Sequence, residues 1–331
     1  MGVITSQKIT SFYDRFKAIN VTFSKEIIQV TGLVSQQVYL KCGGDFWPCV
    51  IYSSSFEMAK VAANTQSGLL EKLRQANNMA SLRFCFKTPD SDTPVTFFVS
   101  TRISGYSPYG SSSNIALFSL QFTQRPPDDL IGIIGTVLDA NVNSTKRSEE
   151  RILLTVEAIR KMGLLSKEMA VFIQGVPRRC ILRDISFSGA KLIMMGVAKF
   201  LINREAALRM DFDDPRESFL LKGTFVRSEE VEGRKEMIAL AIKFNGETVP
   251  MRYKIRLNNY ITQLRIEPKP EAAAPAAAAA PAAKETAGGA PEAPAAPAAA
   301  PPAPATAAPS ATAAPAATAA PAATAAPAKS E

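Results

Sequence analysis

The chain of 331 residues has a formal net charge of +8 and no histidine. Without histidine it lacks the usual general base, the Ser-His and Cys-His nucleophile pairs and the commonest zinc ligand; no two carboxylates stand at a recognisable catalytic spacing, so composition argues against an enzyme, a metal centre or a cofactor. The length admits two ordinary domains, and the positive charge favours an anionic partner such as a nucleotide, a nucleic acid or a lipid surface.

From the amino terminus, the first forty residues hold no basic segment followed by an apolar core and a small-residue cleavage site, so no secretory signal is expected. Cys42, Cys49, Cys85 and Cys180 show neither C-x-x-C spacing nor a disulfide framework, which fits a cytoplasmic protein with reduced thiols. The stretch "CVIYSSSFEMA" (Cys49 to Ala59) carries an apolar skeleton that ends in a polar corner. After it, "SFEMAKVAANTQSGLLEKLRQANN" reads as helical material between the second and third strands of the first half. "FFVSTRI" from Phe97 and "LFSLQF" ending at Phe122 then read as paired strands, joined by the Gly-bearing "SGYSPYGSSSN". A helix follows in "PPDDLIGIIGTVLDA", with Asp128 and Asp129 at the end where negative charge is favoured. Its apolar run is too short to span a bilayer, and no membrane insertion is expected.

The same succession then returns. A shift of 131 lays "GLVS" at Gly32 on "GLLS" at Gly163, Cys49 on Cys180, Phe56 on Phe187 and Ala59 on Ala190. "LLKGTFV" from Leu220 and "LAIKF" ending at Phe244 repeat the strand pair across "RSEEVEGRKE", and "PMRYKIRLNNYITQLR" repeats the closing helix. Such internal agreement marks a duplication. With no helices placed to carry parallel crossovers, the expected fold is mainly β: two antiparallel β-barrels in tandem, each closed by a C-terminal α-helix. The boundaries read as 1–140 for a degenerate first barrel and 141–266 for the second, with 141–151 as a linker and switch between them.

From Glu267 onward the chain is almost entirely Ala, Pro and a few Thr, in units such as "TAAPAATAAPAATAAPAKS". Frequent Pro breaks each attempt at helix and nothing large is available to bury, so 267–331 reads as a disordered, partly extended tail. The tail holds three Lys and five Glu; removing that −2 from the total leaves +10 on the rest.

The two copies differ where polar residues gather. "CILRDISFSGA" (Cys180 to Ala190) has Asp184 where the first copy has Ser53, and Gly189 where the first has Met58. Asp184 and Ser186 fall in alternate positions, which on an extended strand share a face. Gly189 is expected to permit a backbone turn that Met58 would resist. In the segment between the halves, "KRSEERILL" sets Arg147 and Arg151 four apart, whereas the shift of 131 finds Phe16 and Asn20.

Arg-x-x-x-Arg followed some thirty residues later by Asp-x-Ser-x-x-Gly at a strand end resembles the PilZ domain, a receptor for the bacterial second messenger cyclic di-GMP. The likeness runs from about residue 20 to 265, with a degenerate barrel ahead of an intact one. It implies a non-enzymatic receptor acting on motility or surface behaviour through a protein partner. Arg147 and Arg151 would grip phosphate and guanine, Asp184 and Ser186 would take hydrogen bonds from a guanine, and Gly189 would turn the backbone away. Arginine suits both tasks, because its fork pairs with O6 and N7 or with phosphate and its flat face stacks on a purine. Lys146 and Arg183 are candidates for further ligand contacts, while Arg178 and Arg179 read equally well as solvated charge.

Plainer readings stand beside these. Arg147 and Arg151 also fit an exposed linker pair balanced by Glu149 and Glu150, and the Asp184 to Gly189 stretch also fits an ordinary Asx-type turn. The rival function is a basic nucleic-acid-binding protein, possible alongside ligand control; the charge permits it, but the basic residues are dispersed and no aromatic-rich basic strand appears.

Overall fold

The computed structural model describes residues 4–66, 68–87, 93–110, 112–213, 215–234 and 236–266. The expected tail lies outside the described residues. The first half runs α1 (Ser6–Phe16), β1 (Val21–Thr22), α2 (Lys25–Thr31), β2 (Tyr39–Cys42), β3 (Asp45–Ser54), β4 (Met58–Asn64), α3 (Leu69–Gln75), β5 (Met79–Phe86), β6 (Val95–Tyr109), β7 (Ser112–Phe122) and α4 (Asp128–Lys146). The second runs β8 (Ile152–Leu153), α5 (Val156–Met162), β9 (Glu168–Ile173), β10 (Val176–Ile185), β11 (Gly189–Met195), α6 (Ala198–Leu201), β12 (Glu205–Phe212), β13 (Glu217–Glu230), β14 (Met237–Phe244) and α7 (Met251–Ile266).

Each half is a closed antiparallel barrel of six strands with one two-residue strand added outside. In the first, the order β3-β2-β5-β6-β7-β4 closes through β3–β4 and β1 joins β3; in the second, β10-β9-β12-β13-β14-β11 closes through β10–β11 and β8 joins β10. The duplication extends to register. Val21 pairs with Ser54 as Ile152 pairs with Ile185, each partner displaced by 131. A β-bulge interrupts β3 between Ile51 and Ser53, and its counterpart interrupts β10 between Leu182 and Asp184.

Two expectations for the first half are corrected. The segment after Ser55 opens with β4 instead of a helix: Ala59, Val61 and Ala63 are buried in alternation, and that period of two overrides the helix propensity of Ala and Lys. Only Leu69–Gln75 is helical; the second half has a helix at the same point, Ala198–Leu201, so what is extra in the first half is the longer helix, 7 residues against 4, and its longer connection. Helix α1, unforeseen in the sequence, is amphipathic, with Phe12 and Phe16 buried. The Phe12 ring occupies the space a side chain on Gly135 would need, a Cβ there falling 2.3 Å from the ring, so α1 and α4 pack closely.

Each barrel has its own apolar core. Helix α4 closes the first, burying Leu130, Ile131, Ile134 and Leu138, and Asp128 and Asp129 stand in its first turn as expected. Helix α7 serves both: Tyr253, Leu257, Tyr260 and Ile261 enter the second core, whereas Ile255 enters the first. Where α4 and α7 meet, a buried polar ladder crosses between them. Asn143 donates to Asn258 Oδ1 at 2.7 Å, Asn258 donates to Asp139 Oδ2 at 2.9 Å, and Arg15 Nη1 on α1 lies 3.2 Å from Asp139 Oδ1 as an ion pair. At the other end of α7, the Met251 N–H donates to Glu26 at 2.6 Å and Arg252 donates to the Gln29 carbonyl at 2.9 Å, both on α2.

Candidate functional site

The segment between the barrels is less linker than expected, because α4 continues through Lys146. Arg147 caps the helix: its N–H donates to the Asn143 carbonyl at 2.8 Å, and its own carbonyl accepts the Glu150 N–H at 3.0 Å, which folds 147–150 into a tight turn. Strand β8 then pairs with the end of β10, setting Leu153 opposite Asp184. Arg151, immediately before β8, is thereby delivered to Asp184, and Arg151 Nη1 meets Asp184 Oδ1 at 2.6 Å. Asp184 is buried and Arg151 half exposed, so the carboxylate is held inside the barrel rim while part of the guanidinium still faces solvent. Arg147 is partly exposed, and its guanidinium has no hydrogen-bond or ion-pair partner among the described residues.

Beyond Asp184 the chain turns sharply. The Ser186 N–H donates to the Gly189 carbonyl at 2.8 Å, and the Gly189 N–H returns a bond to Ser186 Oγ at 3.1 Å. The first barrel builds the same turn from Ser55 and Met58, at the same two distances. Ser186 therefore has a turn-closing role common to both copies, and what distinguishes the second copy at this corner is Asp184, Ile185, Ser188 and Gly189. Gly189 corrects an expectation as well. Its φ is not in the left-handed region, and Met58 makes the equivalent turn; the need for glycine comes from the backbone of β14, since a Cβ at Gly189 would lie 2.3 Å from the Ile242 carbonyl oxygen.

Further residues, outside the motif read in the sequence, tie the segment to the corner. Ser188 Oγ lies 2.8 Å from both the Ser148 carbonyl and Glu149 Oε1, which share its single hydroxyl proton. Arg265 near the end of α7 grips both carboxylate oxygens of Glu150 at 3.1 and 3.0 Å. Tyr253, fully buried, donates to the Ser186 carbonyl at 2.9 Å, and burial raises its phenol well above the usual range. Glu149 and Glu150 therefore do not balance Arg147 and Arg151 as the plainer reading has it: Glu149 accepts from Ser188, Glu150 pairs with Arg265, and Arg151 pairs with Asp184. The only sequence signal for these contacts was the crowding of Ser188 into the corner.

Arg147, Arg151, Asp184, Ser186 and Gly189 all lie on this segment and corner. Lys146 is exposed on the last turn of α4, and Arg183 is the outward-facing bulge residue of β10. Arg178 and Arg179 sit toward the far end of β10, five or more strand residues from Asp184 and so about 17 Å away. Cys180 and its counterpart Cys49 are buried, and burial pushes each thiol up to about 12. Among the described residues no group of His, Cys, Asp or Glu could hold a metal ion, and no helix is long and apolar enough to cross a membrane.

Residues 7–141 match the PilZN3 domain and residues 145–263 match the PilZ domain. The chain is 43% identical over 266 residues to a protein of Treponema denticola named "Cyclic di-GMP binding protein", covering 80% of this chain and 85% of that one. Among solved structures it is similar to Borreliella burgdorferi PlzA in complex with c-di-GMP, at 23% identity over 77% of this chain and 98% of that chain, with a TM-score of 0.36. It is also similar to Escherichia coli YcgR in complex with c-di-GMP, at 13% identity over 73% and 88% of the two chains, with a TM-score of 0.26. The chain belongs to the PilZ family, as a PilZN3 domain followed by a PilZ domain.

Proposed function

We propose that this chain is a cyclic di-GMP receptor that holds the dinucleotide between the 147–151 segment and the Asp184–Gly189 corner of its second barrel. One observation carries the reading: Arg151 is seated on Asp184 at the barrel rim and Arg147, whose guanidinium has no partner among the described residues, stands on the turn just before it, while the first barrel has Asn20, Ser53 and Phe16 at these positions. The name carried by the Treponema denticola relative supports it. In chemical terms, the two arginines supply planar, charge-assisted contacts to phosphate and to guanine O6 and N7, and the Asp184 carboxylate accepts from a guanine N–H. Ser186 shapes the turn that presents them. Lys146 and Arg183 add positive potential at the edge.

Binding would be converted into a signal at the junction of α4 and α7. Arg147 ends α4, whose body belongs to the first barrel, and Glu150 is gripped by α7, so a ligand that rearranges 147–151 acts on both helices at once. Our reading is that occupancy shifts how the two barrels sit against each other and changes the surface offered to a protein partner, with motility or surface behaviour as the output. Calorimetric titration with cyclic di-GMP, beside Arg147→Ala, Arg151→Ala and a cyclic di-AMP control, tests the site. Absence of binding by well-folded protein would overturn the reading. Solution scattering with and without saturating ligand tests the movement, and superimposable profiles would rule it out.

A further inference from the structure

The outer surface of the first barrel carries a face that the second barrel lacks. Strands β3, β2, β5 and β6 lie side by side, and their register places Pro48, Tyr39, Arg83 and Phe98 in one row across the sheet. Phe46 and Lys41 pair in the adjoining row. Phe46 and Phe98 are 54% and 44% exposed, and Tyr39 meets their rings edge-on at 5.1 and 6.1 Å between centroids. The Lys41 ammonium stands over both phenylalanine rings, 5.4 and 5.8 Å from their centres, and the Arg83 guanidinium lies 4.9 Å from that of Tyr39.

None of these six residues is acidic, and Lys41 has no ion-pair partner among the described residues. The carboxylate nearest in sequence, Asp45, is engaged by Lys72 at 3.1 Å. At the positions of the aromatic row the second barrel has Arg179, Ala170, Arg209 and Leu220, and in the adjoining row Phe172 and Pro177 replace Lys41 and Phe46, so one ring stands where the first barrel has three. A barrel exterior exposing this much aromatic surface needs a reason other than folding, because the rings gain nothing from burial in the core. Arg83 already donates to the Gln37 carbonyl at 3.1 Å and to Gln37 Oε1 at 3.3 Å, so Lys41 is the uncommitted cation of the face. Exposed rings beside such a cation on a four-stranded sheet offer flat faces for bases and positive charge for the connecting phosphates, and such a sheet accommodates about two or three stacked bases.

We propose that this face of the first barrel binds single-stranded nucleic acid with little sequence preference, bases stacking on Phe46 and Phe98 and phosphates meeting Lys41, with the Arg83 guanidinium adding positive potential. This does not depend on the cyclic di-GMP reading, since the face is built from the other barrel. The test is fluorescence anisotropy with a labelled single-stranded RNA of about 12 nucleotides, within the span such sites cover, and the full chain. Phe46→Ala/Phe98→Ala is expected to weaken binding about tenfold or more, and Lys41→Gln to weaken it and flatten its salt dependence. Both variants change exposed side chains, so thermal melts and cyclic di-GMP titrations should match the parent. Absence of RNA binding by the parent, or binding indifferent to the paired phenylalanine change, would overturn the proposal. So would capture of phosphatidylserine vesicles in place of RNA, which would assign the face to a lipid surface.

Discussion

Arg151 and Asp184 are 33 residues apart in the chain, and their side chains meet at 2.6 Å because β8 lies against the end of β10. Arg151→Ala leaves a buried carboxylate unpaired and is expected to cost about 1–3 kcal/mol of stability in chemical denaturation. Adding Asp184→Asn to that variant should recover part of the loss. Arg147 has no such partner among the described residues, so Arg147→Ala should leave stability within about 0.5 kcal/mol while weakening cyclic di-GMP binding about ten- to a hundredfold. A loss of affinity in Arg147→Ala without loss of stability separates ligand contact from folding.

The matching turns offer an internal control. Ser55→Ala and Ser186→Ala each remove a hydroxyl that accepts a buried backbone N–H, and each is expected to destabilise its barrel by about 1–3 kcal/mol. Only Ser186→Ala should alter ligand affinity. Gly189→Ala would drive a methyl toward the Ile242 carbonyl and part β11 from β14, at a cost of about 1–3 kcal/mol read from the melting curve.

The ladder between α4 and α7 is testable by a mutant cycle. Asn258 both donates to Asp139 and accepts from Asn143, so Asn258→Ala strands two buried polar groups and should cost about 2 kcal/mol or more. Combined with Asn143→Ala, denaturation curves should return a coupling of about 0.5–3 kcal/mol. Additive effects would show that the two asparagines act separately.

Cys49 and Cys180 set an alkaline limit. Their folded values near 12 lie above the ordinary 9.0, so the contribution of these thiols to stability is full below pH 9 and declines as the pH rises toward 12, where unfolding releases thiolate. At pH 8 the native protein should react slowly with a thiol-exchange reagent, and all four cysteines should react at once after denaturation.

Much of this architecture was legible because the chain states it twice. The shift that superimposes Cys49 on Cys180 also superimposes the pairing of Val21 with Ser54 on that of Ile152 with Ile185, and the bulge in β3 on that in β10. A repeat also shows which residues differ at matched positions, and that picked out Asp184 and Arg151. Local propensity misled at Met58–Asn64, where small residues hid a period of two. The aromatic row was invisible for another reason: Tyr39, Arg83 and Phe98 come from separate strands, and only the pairing register makes them neighbours. The reason for Gly189 likewise lay in the approach of a distant strand, which no local pattern encodes.

Ile255 is a constraint on engineering this chain. A chain cut after α4 would retain every strand of the first barrel and still leave a vacancy where a side chain from α7 belongs. The halves arose as copies, yet they can no longer be handled as interchangeable cassettes. Any chimera that moves the first barrel to a new context must supply a substitute for Ile255, and any that borrows the second must give that side chain somewhere to go.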